Sequence, residues 1–403
     1  MMNSSLTSAA LPGKRRLAIA AILGLLSAFG PFSLDMYLPA LPAVASDLHA
    51  STSVTQLSLT ACLVGLALGQ LIVGPLSDVR GRRILIASGL MIYTVVSLLL
   101  IISPTIGSFI ALRFVQGFAG SAGIVLSRAV ARDLYAGPEL TRFFALLMLV
   151  NGAAPILAPV AGGQLLNITD WRGVFLVLGL IGAAALASVW FGLPETLPPE
   201  RRSRGGFRET LRTMGRILSD REFMGYALAS GLVSAAMFAY ISGSPFVLQD
   251  LFGVSPQTFS LIFAMNGVGI IIASQLTGRL ASRFGERKFL VAGLVLAAAA
   301  GVGLLAVIAA GAGLGAILPL LFVVVSCVGI VGTSSFPLAM RHQGQSAGTA
   351  SALLGVLSFL FGGLVMPLVG IGGSGTALPM GILIASADVL ALVLFAILVG
   401  RRK

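Results

Sequence analysis

Long apolar stretches separated by short polar connectors run along almost the whole chain. A helix that crosses a bilayer needs roughly 20 apolar residues, so stretch length, with charges and turn residues as breaks, predicts the membrane spans. Twelve spans are predicted in two sets of six: 17–42, 54–76, 84–103, 106–127, 140–166 and 172–192, then 223–247, 256–279, 288–309, 314–340, 346–370 and 376–400. We therefore expect an all-α membrane protein with a six-helix bundle over 1–192, a linker over 193–222 and a second bundle over 223–403.

The composition agrees with a bilayer environment. Apolar residues make up 57% of the 403 residues and charged residues only 10%, which excludes a soluble globular domain. Cys62 and Cys327 lie inside apolar stretches, without metal-ligand spacing to a histidine or an acid, so neither a disulfide nor a metal site is expected. The sequence also lacks a nucleophile–base set and a phosphate-binding loop, so an enzyme is not expected.

The basic residues predict the orientation in the membrane. The formal net charge is +12, and all lysines and arginines except Arg113 and Arg172 lie at the termini or in and beside alternate connectors. Because positively charged connectors stay in the cytoplasm, that face and both termini are predicted to be cytoplasmic.

The connector between the two halves is rich in arginine. Its apolar positions Phe207, Leu211, Met214 and Leu218 recur at helical spacing opposite arginines, which predicts an amphipathic helix on the membrane surface. We expect this helix to rest on anionic lipid, and the alternative is a site for nucleic acid or a regulatory partner.

A motif between spans 2 and 3 returns in the second half. The segment Gly74–Arg83 is echoed by Gly278–Arg287, and each copy follows the second span of its half. Parallel six-span repeats imply a central cavity between two bundles that rock against each other.

The first copy resembles the signature loop of the major facilitator superfamily. The resemblance implies twelve helices in two pseudo-symmetric six-helix bundles, and a cytoplasmic gate at this loop. The gate residues are Gly74, Asp78, Gly81, Arg82 and Arg83, with a second-half copy at Gly278, Arg283, Gly285 and Arg287. We expect the first two glycines to permit tight turns, and Asp78 to form ion pairs with the arginines. Val79 and Ser282 depart from the family pattern, so both gates are expected to be weaker than usual.

Span 5 resembles the glycine- and proline-rich element of proton-driven exporters in that superfamily. The residues that carry this resemblance include Pro155, Pro159, Gly162 and Gly163. Prolines free backbone carbonyls and small residues let helices approach, so this span is predicted to act as a hinge. Ordinary packing of small residues is the alternative.

Short segments elsewhere resemble one subgroup, the bicyclomycin- and chloramphenicol-resistance type of drug:proton antiporter. They are Asp35–Pro39, Arg113–Gly117, Ser127–Ala129, Arg132–Tyr135, Leu193–Thr196 and Ser242–Phe246. The resemblance implies a multi-pass protein of the bacterial cytoplasmic membrane.

Two charged residues fall at similar depth inside predicted spans 1 and 4. A charge inside the bilayer persists only beside a partner or an interior cavity, so Asp35 and Arg113 are predicted to couple proton movement to transport. We expect the two to interact, with protonation of Asp35 controlling that interaction, and a static ion pair is the alternative.

Further candidates follow from the spans that line the cavity in the resembled fold. Aromatic and neutral polar side chains suited to drug-like molecules are Tyr37, Gln116, Phe238, Tyr240, Ser242 and Phe246. Asp388 lies among apolar residues of span 12 and is a candidate second proton site, with an inter-helix hydrogen bond or a protonated acid without that role as the alternatives.

The function favoured at this point is proton-coupled export of drugs or antibiotics by alternating access. The proton gradient would supply the energy, so no cofactor is expected. The expected partners are membrane lipid, protons and a small drug-like substrate, without nucleic acid or an obligate protein partner. The alternative is a proton-coupled transporter of the same fold for a nucleoside, sugar or amino-acid derivative. A channel is disfavoured because rings of like charge and filter motifs are missing.

Overall fold

The computed structural model describes residues 13–202, 214–341, 343 and 347–399. Helices make up nearly all of these residues, and the described part contains no strand. The helices are α1 Gly13–Ser27, α2 Phe29–Asp35, α3 Leu41–Asp47, α4 Thr52–Arg80, α5 Arg82–Ile101, α6 Ile106–Leu134, α7 Gly137–Leu165, α8 Trp171–Gly192, α9 Arg221–Pro245, α10 Pro256–Phe284, α11 Glu286–Ala309, α12 Leu314–Met340, α13 Ala347–Val369 and α14 Leu378–Leu398. Three short turns of interest are 3-10 turns at Leu38–Ala40 and Gly370–Gly372 and a π-helical turn at Phe246–Leu251.

The prediction of twelve spans is confirmed. Within the described residues, 12 helical segments are long and apolar enough to cross a membrane. The first joins α1, α2 and α3 over Leu17–Asp47, and the seventh joins α9 to its π-helical turn over Arg221–Leu251. The predicted linker helix falls mostly on 203–213, which lies outside the described residues.

The chain divides into two compact units. Unit 1 comprises Met1–Tyr37 and Ala61–Gly206, and unit 2 comprises Leu38–Thr60 and Phe207–Lys403. The sequence suggested a division at the central linker alone. In the structure the segment Leu38–Thr60 groups with the second half, so α4 belongs to unit 2 at its beginning and to unit 1 from Ala61 onward.

Glycines set the close helix contacts inside unit 1. The helix α5 packs against both α6 and α8, and α2 packs against α6 and α7. A Cβ atom on Gly117 would overlap the carbonyl of Cys62, and one on Gly65 would overlap the carbonyl of Phe114. Such positions let α4 and α6 approach closely, as small residues do between helices in a bilayer.

Unit 2 is built around α9, α11 and α12. The helix α9 packs against α12, α13 and α14, while α11 packs against α12 and α14. Ile217, Phe223 and Tyr226 join an apolar core with residues of α11 to α14. Here too a glycine marks a close contact, since a Cβ atom on Gly329 would overlap the carbonyl of Ile270.

The repeat detected in the sequence also appears in the backbone. Gly81 joins α4 to α5 with φ 100°, and Gly285 joins α10 to α11 with φ 95°. An L side chain rarely adopts such angles, so glycine is favoured at both junctions. The expectation for Gly74 was wrong, because Gly74 lies inside α4 rather than in a turn.

Candidate transport sites

The first span is broken next to Asp35. Proline has no amide hydrogen, so Pro39 leaves the carbonyl of Asp35 without its usual helical partner, and Pro42 does the same for Leu38. The helix α2 therefore ends at Asp35, a 3-10 turn covers Leu38–Ala40, and α3 begins at Leu41. Irregular backbone at membrane depth is tolerated where it is buried in protein or lines a cavity, so the break is a candidate site.

The Asp35 carboxyl group stands alone at this break. The residue is 7% exposed, and neither a hydrogen bond nor an ion pair joins it to another described residue. A charged aspartate at the centre of a membrane helix costs about 2.5–3.5 kcal/mol on insertion scales. A negative charge on this isolated carboxyl group would therefore be costly.

Arg113 is held by groups on both sides of Asp35. The residue is 0% exposed, and its Nη2 donates to the carbonyl of Ser33 at 2.6 Å. Its guanidinium carbon lies 4.4 Å from the ring centre of Tyr37, within range of a cation–π contact. Ser33 belongs to the last turn of α2, where carbonyls have no helical partner, which explains why this one is available.

The expected direct contact between Asp35 and Arg113 is not formed in this structure. Their side chains make no ion pair among the described residues. Arg113 nonetheless contacts Ser33 and Tyr37, which lie on either side of Asp35 in the chain, so neutral groups hold it instead of the Asp35 carboxyl group.

A chain of hydrogen bonds positions Arg113. Its Nη1 donates to Oε1 of Gln116, whose Nε2 donates to Oγ of Ser97 at 2.8 Å. Ser97 in turn donates to the carbonyl of Tyr93 at 2.7 Å, and the Tyr93 hydroxyl lies 2.9 Å from Oγ of Ser33. Gln116 is 0% exposed, so its position here is that of a support for Arg113. Contact with substrate stays a prediction for Gln116 and for Tyr37.

The predicted gate in the first half contains an ion-pair cluster. Arg82 lies 2.6 Å from the Asp78 carboxylate and 3.1 Å from that of Asp133, and it also donates to Oγ of Ser77. The expected pairing of Asp78 with Arg82 is therefore present. Arg83 instead donates to the carbonyl of Trp190 at the end of α8. The gating role of this cluster stays a prediction.

Glu195 completes the cluster, and the sequence did not assign it a role. Its carboxylate accepts from the amides of Arg82 at 2.9 Å and Arg83 at 3.1 Å, the first two residues of α5. These amides have no partner inside the helix, and a negative charge is stabilising there. The nearby Thr196 donates to Asp133 at 3.1 Å. The sequence indicates both segments, Leu193–Thr196 and Arg132–Tyr135, only as parts of a resemblance.

The second-half copy keeps one contact of the first and replaces another. Arg287 donates to the carbonyl of Val399 beyond α14 at 3.3 Å, just as Arg83 reaches the end of α8. Arginine is favourable at a helix C-terminus, where the helix dipole is negative. Glu286 forms an exposed ion pair with Arg341 at 2.9 Å, and Arg283 lies over the ring of its neighbour Phe284. Gly278 lies inside α10.

The glycine- and proline-rich element lies in α7. Pro155 and Pro159 are both inside this helix. A Cβ atom on Gly162 would overlap the carbonyl of Met36, immediately after Asp35, so α7 touches the break in the first span. Gly163 is buried beside it. The hinge role stays a prediction, but its location next to Asp35 is a finding of the structure.

The second-half candidates for substrate contact are buried within unit 2. The hydroxyl of Tyr240 accepts from Asn266 at 2.8 Å, and its ring stacks on Phe263. The ring of Phe238 fills the space beside Gly362. Ser242 is 0% exposed and donates to the carbonyl of Met366 at 3.3 Å, and Phe246 is 2% exposed. Their role toward substrate stays a prediction.

Asp388 is buried without a partner. It is 1% exposed, and neither carboxyl oxygen has a hydrogen-bond partner in the described part of the chain. A Cβ atom on Gly301 of α11 would lie 3.2 Å from Oδ2, so α11 packs directly against this carboxyl group. Of the two alternatives for Asp388, the inter-helix hydrogen bond is therefore not formed among the described residues.

Comparison with known proteins identifies the family. The model described as the Major Facilitator Superfamily matches residues 22–367. The uncharacterized MFS-type transporter YdgK of Bacillus subtilis is 47% identical over 371 residues, which cover 92% of each protein. The bicyclomycin resistance protein homolog of Haemophilus influenzae is 32% identical over 382 residues, or 94% of this chain and 95% of that protein.

A solved structure shows the same fold. A mutant of the nucleoside transporter NupG superposes with a TM-score of 0.78 over 96% of this chain and 100% of that chain, at 12% identity. At 12% identity the similarity shows the fold alone. The chain therefore belongs to the Major Facilitator Superfamily and is a multi-pass membrane transporter, rather than an enzyme, of the type to which the bacterial bicyclomycin- and chloramphenicol-resistance proteins belong.

Proposed function

We propose that this protein exports drug-like molecules in exchange for protons across the bacterial cytoplasmic membrane. The observation that carries the proposal is the isolated Asp35 carboxyl group at the break in the first span. An acid inside the membrane is a candidate functional group by default, because its charged form is costly there. Asp35 would bind a proton when it is accessible from one side of the membrane and release it when it is accessible from the other side.

Arg113 provides the means by which a change at Asp35 reaches the rest of unit 1. Its guanidinium holds the carbonyl of Ser33 and the ring of Tyr37, one on either side of Asp35. If Asp35 lost its proton, its negative charge would lie between Ser33 and Tyr37 in the chain, and both of these residues contact the Arg113 guanidinium. The attraction would shift the break toward Arg113 and give the first span a second arrangement, as alternating access requires.

The drug-like substrate class is supported by the relatives. A protein named for bicyclomycin resistance shares 32% identity over nearly the whole chain. A cationic or polar drug would stabilise the ionised form of Asp35, whereas a bound proton neutralises it. Drug and proton would therefore compete for the same carboxylate. That competition is the simplest basis for exchange.

The proposal is tested with purified protein in proteoliposomes that carry an imposed pH gradient. Addition of chloramphenicol, bicyclomycin or tetraphenylphosphonium is expected to dissipate the gradient with the unmodified protein and to leave it intact with Asp35→Asn. The matched control is Asp170→Asn, because Asp170 caps α8 at the protein surface and asparagine caps a helix equally well. This control is expected to behave like the unmodified protein.

Two results would contradict the proposal in different ways. If Asp35→Asn retained drug-driven dissipation, the proton role of Asp35 would be wrong. If nucleosides, sugars or amino-acid derivatives dissipated the gradient while all three drugs failed, the protein would be a metabolite transporter of the same fold.

A further inference from the structure

A groove of about 860 Å³ runs along the surface of α11 in unit 2. Arg287 and Lys288 line the end of the groove at which α11 begins, and this end is called the groove mouth. Farther along the helix the groove is lined by exposed apolar residues, among them Val291, Val295 and Ala299. The groove therefore combines a positively charged mouth with an apolar floor.

The length of the groove matches one leaflet of a bilayer. The distance from Lys288 to Ala299 is about 17 Å at the rise of an α-helix, and half of the hydrocarbon core of a bilayer is roughly 15 Å thick. The connector before α11 is predicted to be cytoplasmic, which puts the groove mouth at the inner surface of the membrane. An acyl chain of the inner leaflet would cover the whole floor, whereas a small soluble anion would occupy only the mouth.

Positive charge exceeds negative charge around the groove mouth. Lys288 is exposed, and neither a hydrogen bond nor an ion pair joins it to another described residue. Arg283 lies over the ring of Phe284, which also lines the groove. The neighbouring acid Glu286 does not line the groove and pairs with Arg341 at 2.9 Å. Basic pockets on the cytoplasmic side of membrane proteins bind anionic lipid headgroups.

The equivalent junction in unit 1 shows that an anion fits beside such a glycine. The Glu195 carboxylate accepts from the amides of Arg82 and Arg83 at the beginning of α5, and a Cβ atom on Gly81 would lie 2.7 Å from this carboxylate. In unit 2, α11 begins without a side-chain cap, and a Cβ atom on Gly285 would meet no described atom within 4 Å. Gly285 lines the groove, so the space that a carboxylate fills in unit 1 is open here and continuous with the groove mouth.

The sequence repeat shows which substitutions distinguish α11 from its counterpart α5. With the two junction glycines aligned, Lys288 stands in place of Ile84 and Ala299 in place of Val95. Ile84 is 55% exposed and Val95 is 51% exposed, so both positions lie on the protein surface in unit 1 as well. Unit 2 thus has a cation where unit 1 has an apolar side chain, and a smaller side chain on the floor.

We propose that the groove of α11 is a binding site for one anionic phospholipid of the inner leaflet, such as phosphatidylglycerol. Its phosphate would lie at the groove mouth, beside Lys288 and the open space at Gly285. One acyl chain would lie on the apolar floor as far as Ala299. The inference does not depend on the proposed exchange of drugs and protons.

The test measures lipid binding to the purified, delipidated protein by native mass spectrometry, without drug or pH gradient. Phosphatidylglycerol and phosphatidylethanolamine with the same acyl chains are titrated separately. The first phosphatidylglycerol is expected to bind at least about fivefold more tightly than the first phosphatidylethanolamine, which is the effect of one basic residue near an anionic lipid.

The groove mouth is tested by removing its charge. Lys288→Gln should weaken the binding of phosphatidylglycerol about fivefold, and Lys288→Arg should bind it like the parent protein because the charge is kept. The matched control is Arg80→Gln, which removes an exposed cation at the end of α4 in unit 1. This control should also bind like the parent protein.

The floor is tested without any change of charge. Ala299→Phe fills part of the groove and should weaken the binding of phosphatidylglycerol about threefold or more, because the acyl chain loses apolar contact. The matched control is Val95→Phe at the corresponding position of α5, which should bind like the parent protein. Both positions are exposed, so neither substitution disturbs the packed core.

Equal binding of the two lipids by the parent protein would overturn the site. Equal losses in Lys288→Gln and Arg80→Gln would overturn it as well, because they would show a general attraction to surface charge, and so would equal losses in Ala299→Phe and Val95→Phe. Glycerophosphoglycerol, which is the headgroup without acyl chains, and inorganic phosphate are added in excess as competitors. Displacement of the lipid by either would indicate a site for a soluble anion and contradict the assignment to a phospholipid.

Discussion

Arg113 in unit 1 and Asp388 in unit 2 are both ionisable residues buried inside membrane spans. Arg113 is 0% exposed, donates two hydrogen bonds and faces two aromatic rings. Asp388 is 1% exposed and has no partner for either oxygen among the described residues. Burial is the same, but only the arginine is surrounded by groups that stabilise a charge. The comparison shows that the fold supplies Arg113 with acceptors and aromatic faces but leaves the Asp388 carboxyl group without a partner among the described residues.

The gate segments of the two units also differ in how many groups stabilise their charges. In unit 1 the Arg82 side chain is 10% exposed and pairs with two acids, and the Glu195 carboxylate caps the beginning of α5. In unit 2 the pair of Glu286 and Arg341 is exposed to solvent, where an ion pair contributes about 0–1 kcal/mol. Among the described gate residues, the charges of unit 1 therefore have more stabilising partners than those of unit 2.

The largest effect is expected for the charge at Arg113. We predict that Arg113→Met lowers drug-driven proton flux in proteoliposomes about 100-fold, near the upper end of coupling free energies between sites. Arg113→Lys should retain part of the flux, because it keeps the charge but cannot hold both acceptors in one planar fork. If Arg113→Met transported normally, the guanidinium would have no part in coupling. The partners that distinguish Arg113 from Asp388 would then serve stability alone.

A smaller difference is expected between the two junction glycines. Both have positive φ, so alanine should lower the free energy of unfolding by about 1–2 kcal/mol at either position. Gly81→Ala should cost more, because its Cβ would lie 2.7 Å from the Glu195 carboxylate, whereas Gly285 has open space around it. Detergent-induced unfolding of the two variants measures the difference. Equal destabilisation would show that Glu195 can move aside and that the unit 1 cluster is not closely packed.

The smallest effect is expected at Asp388. If its carboxyl group is neutral, Asp388→Asn exchanges one neutral polar group for another of similar size and should change the free energy of unfolding by less than about 1 kcal/mol. A larger loss would mean that the carboxylate is charged and has a partner. The number of protons moved per drug, measured in the same variant, decides the second proton site: a lower number would assign it to Asp388, and an unchanged number would leave Asp388 without that role.

Several features followed from the sequence because they depend on local physics. The length of an apolar stretch determines whether a helix crosses a bilayer, which is why the twelve spans were predicted correctly. The repeat of Gly81 at Gly285 predicted equivalent junctions, since positive φ is a property of one residue. Charge inside an apolar stretch singled out Asp35 and Arg113, and the short motifs indicated the family.

Other features depended on which distant groups meet, and only the tertiary structure decided them. Glu195 and Asp133 lie far along the chain from Arg82, so their common cluster had no local signal. The partners of Arg113 proved to be neutral, because the end of α2 freed a carbonyl within its reach. The side chain of Gln56 donates to the carbonyl of Ser242, far along the chain, a contact that the apolar pattern does not indicate. Sequence thus determined where polar groups enter the membrane, and packing determined what satisfies them.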